Sequence, residues 1–315
     1  DVKLEPKKIA ILQKGISFYK LIADRNSSQP KAQKEMARAL QRIGGIHNLL
    51  DQDVAAEAAL RKALAIQTKV VSDVPDNPGY QLILAGMHNN FAATLIKDGR
   101  VEEAAKEFLL AIDVALHLTG SHPNHPEYER ELAANYGSLG AMYRAKGRLK
   151  EAEELFQKAI DIEVSLVNHH PSTALYRREL AKNYDNLGYL LRLLGQSEMA
   201  EKAHREAIAV MQKLPISAHL DPDYVDTHAE SYNFLGIILA ESGKWQDAEQ
   251  AFQCYLEKRR ELTTVLPNVP GYRASFANAY MNIANVYAAT ERMPKAEDAY
   301  RNAVGLFEKL QAEFP

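Results

Sequence analysis

A single cysteine, Cys254, is the only thiol in the chain. It excludes an intrachain disulfide and a cysteine-built zinc site, and it fits a reducing compartment. Long hydrophobic runs are missing: no stretch of about 18 apolar residues occurs, so no membrane span is expected. The cytoplasm is the expected location. An excess of one charge is missing too, since 38 Lys and Arg stand against 41 Asp and Glu for a net charge of −3. A nucleic-acid partner, which favours a basic protein, is therefore not expected. Phosphate loops of the GxxxxGK or GxGxxG type, an HExxH pair and cysteine pairs are all absent, and with them the signatures of nucleotide and zinc chemistry. No catalytic residue, metal or cofactor is expected. The opening DVKLEPKK has neither an initiator methionine nor an apolar signal region and reads as a piece of a longer protein.

What the chain does have is a period. Tyr80, Tyr128, Tyr176, Tyr224 and Tyr272 are spaced by 48 residues throughout. Two columns hold alanine in all six copies: Ala37, Ala85, Ala133, Ala181, Ala229 and Ala277, then Ala56, Ala104, Ala152, Ala200, Ala248 and Ala296. Within a copy, Leu132, Tyr136, Leu139 and Tyr143 follow the i, i+4, i+7 spacing of an amphipathic helix. Gly147 marks a turn, echoed by Gly99, Gly195 and Gly243. A second helix carries Ala152, Leu155, Phe156, Ala159 and Ile160 on one face. A proline-bearing loop closes the copy, because proline ends one helix and starts the next. No period-2 pattern appears, so the class is all-α.

The expected organisation is an N-terminal capping helix or half repeat at 1–31, then repeats at 32–79, 80–127, 128–175, 176–223, 224–271 and 272–315 in one solenoid. Residues 8–26 keep the second-helix pattern, with Gly15 falling 48 before Ala63. One copy alone buries too little to fold, so stacking on neighbours must supply the stability.

The string Tyr136-x2-Leu139-Gly140-x2-Tyr143, followed by Ala152-x3-Phe156-x2-Ala159, resembles the tetratricopeptide signature at every spacing. Other copies match in part, as in Tyr184, Leu187, Gly188, Ala200 and Ala207, or Tyr232, Leu235, Gly236, Ala248 and Phe252. The resemblance covers about residues 32–315. It implies an open right-handed superhelix of antiparallel helix pairs that binds proteins rather than catalysing a reaction. The long 48-residue repeat is similar to the C-terminal repeat regions of some bacterial serine/threonine protein kinases, which implies a regulatory or targeting role in a larger signalling protein. The alternative is an α/α toroid enzyme of six hairpins, whose inner rim would need more acids than Asp185 and Glu230 supply.

In the family's architecture a stripe on the first helix lines the concave groove. Here that stripe offers Asn90, Asn186, Asn233 and Asn282 as paired donors and acceptors for a peptide backbone. It adds Arg144, Lys182 and Arg192 as cations, Asp185 as an acid, and Tyr189, Phe234 and Ile237 as apolar contacts. The Lys/Arg-plus-Asn clamp that other family members use for a terminal carboxylate is absent. The expected ligand is a partner's peptide or helix with acidic groups near one end and an apolar anchor, and Tyr189 and Arg192 are the expected energetic anchors. Loop histidines His122, His125, His169, His170 and His219 read as solvated, His88 and His204 as core, and Trp245 as packed in its turn. The last helix leaves Val304, Phe307, Leu310 and Phe314 without a following repeat, so either end-to-end self-association through it or its coverage by further sequence of a longer protein is expected.

Overall fold

The computed structural model describes residues 6–24, 27–214 and 221–313, with side chains from residue 9 onward. Phe314 and His219 lie outside the described residues. Among the described residues all regular structure is helical. After α1 (Pro6–Ala23) come pairs of a first and a second helix. They are α2 (Pro30–Leu49) with α3 (Asp53–Asp73), α4 (Pro78–Lys97) with α5 (Val101–Ser121), and α6 (Pro126–Ala145) with α7 (Leu149–His169). Then follow α8 (Ala174–Leu193) with α9 (Ser197–Gln212), α10 (Pro222–Glu241) with α11 (Trp245–Val265), and α12 (Pro270–Ala289) with α13 (Met293–Glu313).

Proline sits in the first turn of α2, α4, α10, α6 and α12, where its missing N–H has no helical partner to lose. Asn77 and Asp221 cap two of these helices, accepting from Tyr80 N–H and Asp223 N–H. The turn inside every pair is one device repeated. Asp51, Gly99, Gly147, Gly195, Gly243 and Glu291 all have φ between 53° and 75°. Each N–H bonds back three residues, and the next residue's N–H reaches back five, as in Gly99 N to Ile96 O and Arg100 N to Leu95 O. That is the paired closure of a Schellman motif, which needs a left-handed residue. The first and last turns use Asp51 and Glu291 where glycine would be unstrained.

The chain divides into two compact units, residues 1–162 and 163–315, with the division inside α7. In the first unit α2, α3, α4, α5 and α6 pack in sequence, each against the next, and α1 packs on α2. In the second, α8 to α13 do the same. Both alanine columns are buried at all twelve positions, none more than 2% exposed. Small side chains there let backbones approach, and aromatics fill the space beside them. Glycine takes this to its limit: a Cβ on Gly140 would lie 3.0 Å from the Phe156 ring, and one on Gly236 would lie 2.6 Å from the Phe252 ring. α1 buries Ile16 and Ala23 on α2 and leaves Ile11, Phe18 and Leu21 exposed. No helix among the described residues is long and apolar enough to cross a membrane.

Ion pairs bind successive copies at a fixed offset. The basic residue after the left-handed turn reaches an acid 43 positions earlier: Arg100 to Glu57 at 2.6 Å, Lys244 to Glu201 at 2.7 Å and Arg292 to Glu249 at 2.7 Å.

Candidate functional site

Helices that start with the same register present the same stripe, so first helices of adjacent copies lay like positions side by side. In the first unit this builds a groove of about 600 Å³ on α2 and α4, lined by Gln41, Arg42, Gly45, Asn48, Asn90, Ala93 and Lys97 among others. Gly45 and Ala93 keep the floor low, and Asn90 and Arg42 stand exposed at its edge. Asn48 donates to Thr94 Oγ1 at 2.8 Å, and Lys97 donates to the Asn48 carbonyl at 3.2 Å and to Asp51 at 2.7 Å. These bonds tie the C-terminal ends of α2 and α4, so Lys97 is committed. Arg42 forms no ion pair among the described residues. Asn90 is the candidate from the sequence stripe that lines this groove, and Arg42 and Asn48 of α2 join it there.

The remaining candidates fall in different settings. Arg144 on α6 is half-buried, with its guanidinium 5.8 Å from the Phe156 ring. Lys182 on α8 is exposed, while Asn186 and Tyr189 on the same helix are half-buried. Arg192 lies 6.0 Å from the Tyr189 ring and makes a two-pronged pair with Glu241, at 2.6 and 2.5 Å. Its fork is therefore used within the fold, which corrects its reading as a free donor. Asn282 donates to Asn233 Oδ1 at 2.8 Å, joining α12 to α10. Phe234 stacks on His204 at 5.5 Å between ring centres. Ile237, Asn282 and Trp245 border a smaller recess of about 160 Å³. Trp245 is 38% exposed, so it borders that recess instead of being enclosed in the turn.

Asp185 is the clearest correction. It points into the core, 6% exposed, and receives bonds from Ser231 Oγ at 2.5 Å and from the His204 ring at 2.8 Å. Burial holds its carboxyl above the usual carboxylate range. A one-step rotation on a helix turns a groove position into a core position, and Asp185 lies on the core side of that line. Glu230 is likewise engaged, by the fully buried Arg259, which also binds Asp226 at 2.5 Å. His88, half-buried, pairs with Glu107 at 2.6 Å. Among the described residues no cluster of three or more His, Cys, Asp or Glu is arranged to hold a metal.

Tetratricopeptide repeat family profiles match residues 130–213 and 277–309. No curated protein matches by sequence. Among solved structures, the chain is similar to BtubC (BKLC) from P. vanneervenii, at 19% identity and a TM-score of 0.65 over 82% of this chain and 92% of that one. It is similar to the apo form of RapI at 15% identity and a TM-score of 0.56, over 96% and 93% of the two chains. The apo form of the quorum sensor NprR from B. thuringiensis matches at 14% identity and a TM-score of 0.54, over 96% and 83%. At such identities the likeness is one of fold. Together with the two profile matches and the paired all-α architecture, it supports a helical-repeat fold of the tetratricopeptide type, with the profiles themselves confined to residues 130–213 and 277–309.

Proposed function

We propose that the chain is a protein-interaction scaffold that receives a peptide segment of a partner on the faces of its first helices. The groove on α2 and α4 carries this reading: it is open, low-floored, and edged by Arg42 and Asn90. An amide at its edge suits a peptide backbone, and an uncommitted guanidinium suits a carboxylate. The ligand is accordingly a segment with acidic groups toward its α2 end and an apolar residue elsewhere. In the second unit, Tyr189, Phe234 and Ile237 provide half-buried apolar contacts, and Tyr189 is the anchor there. Arg192, held by Glu241 and 6.0 Å from the Tyr189 ring, serves as a brace beside that anchor.

Both acids that an enzymatic reading would draw on are spent in the fold, Asp185 on His204 and Ser231 and Glu230 on Arg259. NprR, a quorum sensor by its description, shows that this fold can serve a signal-responsive protein. We read the present chain as the regulatory or targeting region of a larger signalling protein.

The test uses a displayed library of random 12-residue peptides selected on the intact chain. Acidic sequences with one large apolar residue should be enriched. Arg42→Glu or Asn90→Ala should weaken their binding by about 1–3 kcal/mol while leaving the melting temperature unchanged. Tyr189→Ala should do the same for ligands reaching the second unit. Selected peptides that bind all three variants as tightly as the parent would overturn the assignment.

A further inference from the structure

The second helices present one column that is closed in every copy but the last. Leu60, Phe108, Phe156, His204 and Phe252 are each no more than 3% exposed, whereas Tyr300 of α13 is 36% exposed. One turn further on, Val304 is 53% exposed while its counterparts Leu64, Ile112, Ile160, Ile208 and Leu256 are buried or half-buried. The bare face forms a shallow apolar cavity of about 620 Å³, with Tyr300, Val304 and Gly305 along it and the charges of Arg301 and Glu308 at its side.

Gly305 is the unexplained residue. The same column holds Ala65, Asp113, Asp161, Ala209 and Glu257 in the other copies, and glycine inside a helix is destabilising. A Cβ at Gly305 would meet nothing within 4 Å, so nothing within this chain requires the glycine. Glycine in a helix is useful where a second backbone must come close. Glu308 is exposed. Arg301 pairs with Glu297 of its own helix at 2.6 Å in a contact open to solvent, with the two side chains 76% and 66% exposed, so that it can be exchanged for a carboxylate across an interface.

We propose that this face of α13 binds the same face of a second copy, with the two helices antiparallel across a two-fold axis between Val304 and Gly305. A two-fold interface is self-complementary, so each contact occurs twice. About that axis, Val304 of each copy lies over Gly305 of the other, where the missing side chain admits it. Residues three positions before Val304 and three after Gly305 then oppose one another, which sets Arg301 against the partner copy's Glu308 in both directions. Arg301 and Glu308 of this face are thus each matched by a second copy, with Glu297 beside Arg301. Apolar contact at the centre and paired charges at the rim are the usual layout of such an interface.

Sedimentation velocity on the intact chain over a wide concentration range tests this. The parent should show a reversible monomer–dimer equilibrium. Arg301→Glu alone and Glu308→Arg alone should each weaken it at least about tenfold, because each sets like charges together twice. An equimolar mixture of these two variants should restore a dimer, since each then supplies the charge the other lacks. Gly305→Leu should abolish association with no loss of thermal stability, because its side chain enters open space in the monomer. A parent that stays monomeric, or a dimer indifferent to all three changes, would overturn the proposal.

Discussion

Glu163 and Asn183 form a buried pair in the second unit, where the Asn183 amide donates to both carboxyl oxygens at 2.9 and 3.0 Å. Burial outweighs those bonds and pushes the Glu163 carboxyl up to about 8. The group binds its proton more tightly folded than unfolded, so the folded chain loses stability relative to the unfolded one as pH rises from about 4.5 to about 8. Glu163→Gln removes that titration while keeping an acceptor for Asn183. The parent and variant should have similar denaturation midpoints at pH 4.5, and at pH 8.5 the variant should be more stable by roughly 2–4 kcal/mol. Equal pH dependence in the two would show that Glu163 ionises as freely in the fold as outside it. Neither this pair nor the Asp185–His204–Ser231 cluster was legible in the sequence. The acids sit in columns that are polar in some copies and apolar in others, and only packing decides which way they turn.

Helix pairs tell the opposite story. Their alanine columns and the four glycine turns were legible, because small residues and left-handed turns are demanded by backbone geometry that every copy shares. The turns at Asp51 and Glu291 carry no glycine to mark them. The glycine facing the second-helix aromatic is the tightest of these demands. Gly236→Ala would force a Cβ against the Phe252 ring at 2.6 Å, whereas the equivalent positions in the second and sixth copies already hold Ala92 and Ala284. Gly236→Ala should therefore cost about 1–3 kcal/mol in chemical denaturation, and the added change Phe252→Leu should recover part of it. No recovery would mean that the strain lies in the backbone. Site residues were less legible than the helices carrying them. A stripe drawn from spacing alone cannot show that Arg192 would be held by Glu241 or that Asn282 would bond Asn233, since both are contacts between copies.

At the scale of the whole chain, stability is distributed among neighbours. α1 has one packed neighbour, α2, and α13 packs on α12 with its far face bare. Interior helices of each unit have neighbours on both sides. Native-state hydrogen exchange should find the lowest opening free energies in α1 and α13 and the highest in α4, α5, α10 and α11. Uniform protection from end to end would instead mark one all-or-none unit.

The bonds that join like helices of adjacent copies span about one copy of chain, 43 residues for Arg100 with Glu57 and 49 for Asn282 with Asn233. Those from a second helix to the next first helix span less, 13 for Gln67 with Tyr80 and 20 for Asn183 with Glu163. No described bond between copies reaches across two. The longest loop that must close during folding is therefore set by a single copy and not by the length of the array. Because the cost of closing a loop rises with its length, each added copy faces the same kinetic barrier as the one before it. Relative contact order falls as the array grows, so a chain of this design can lengthen without folding more slowly at any step.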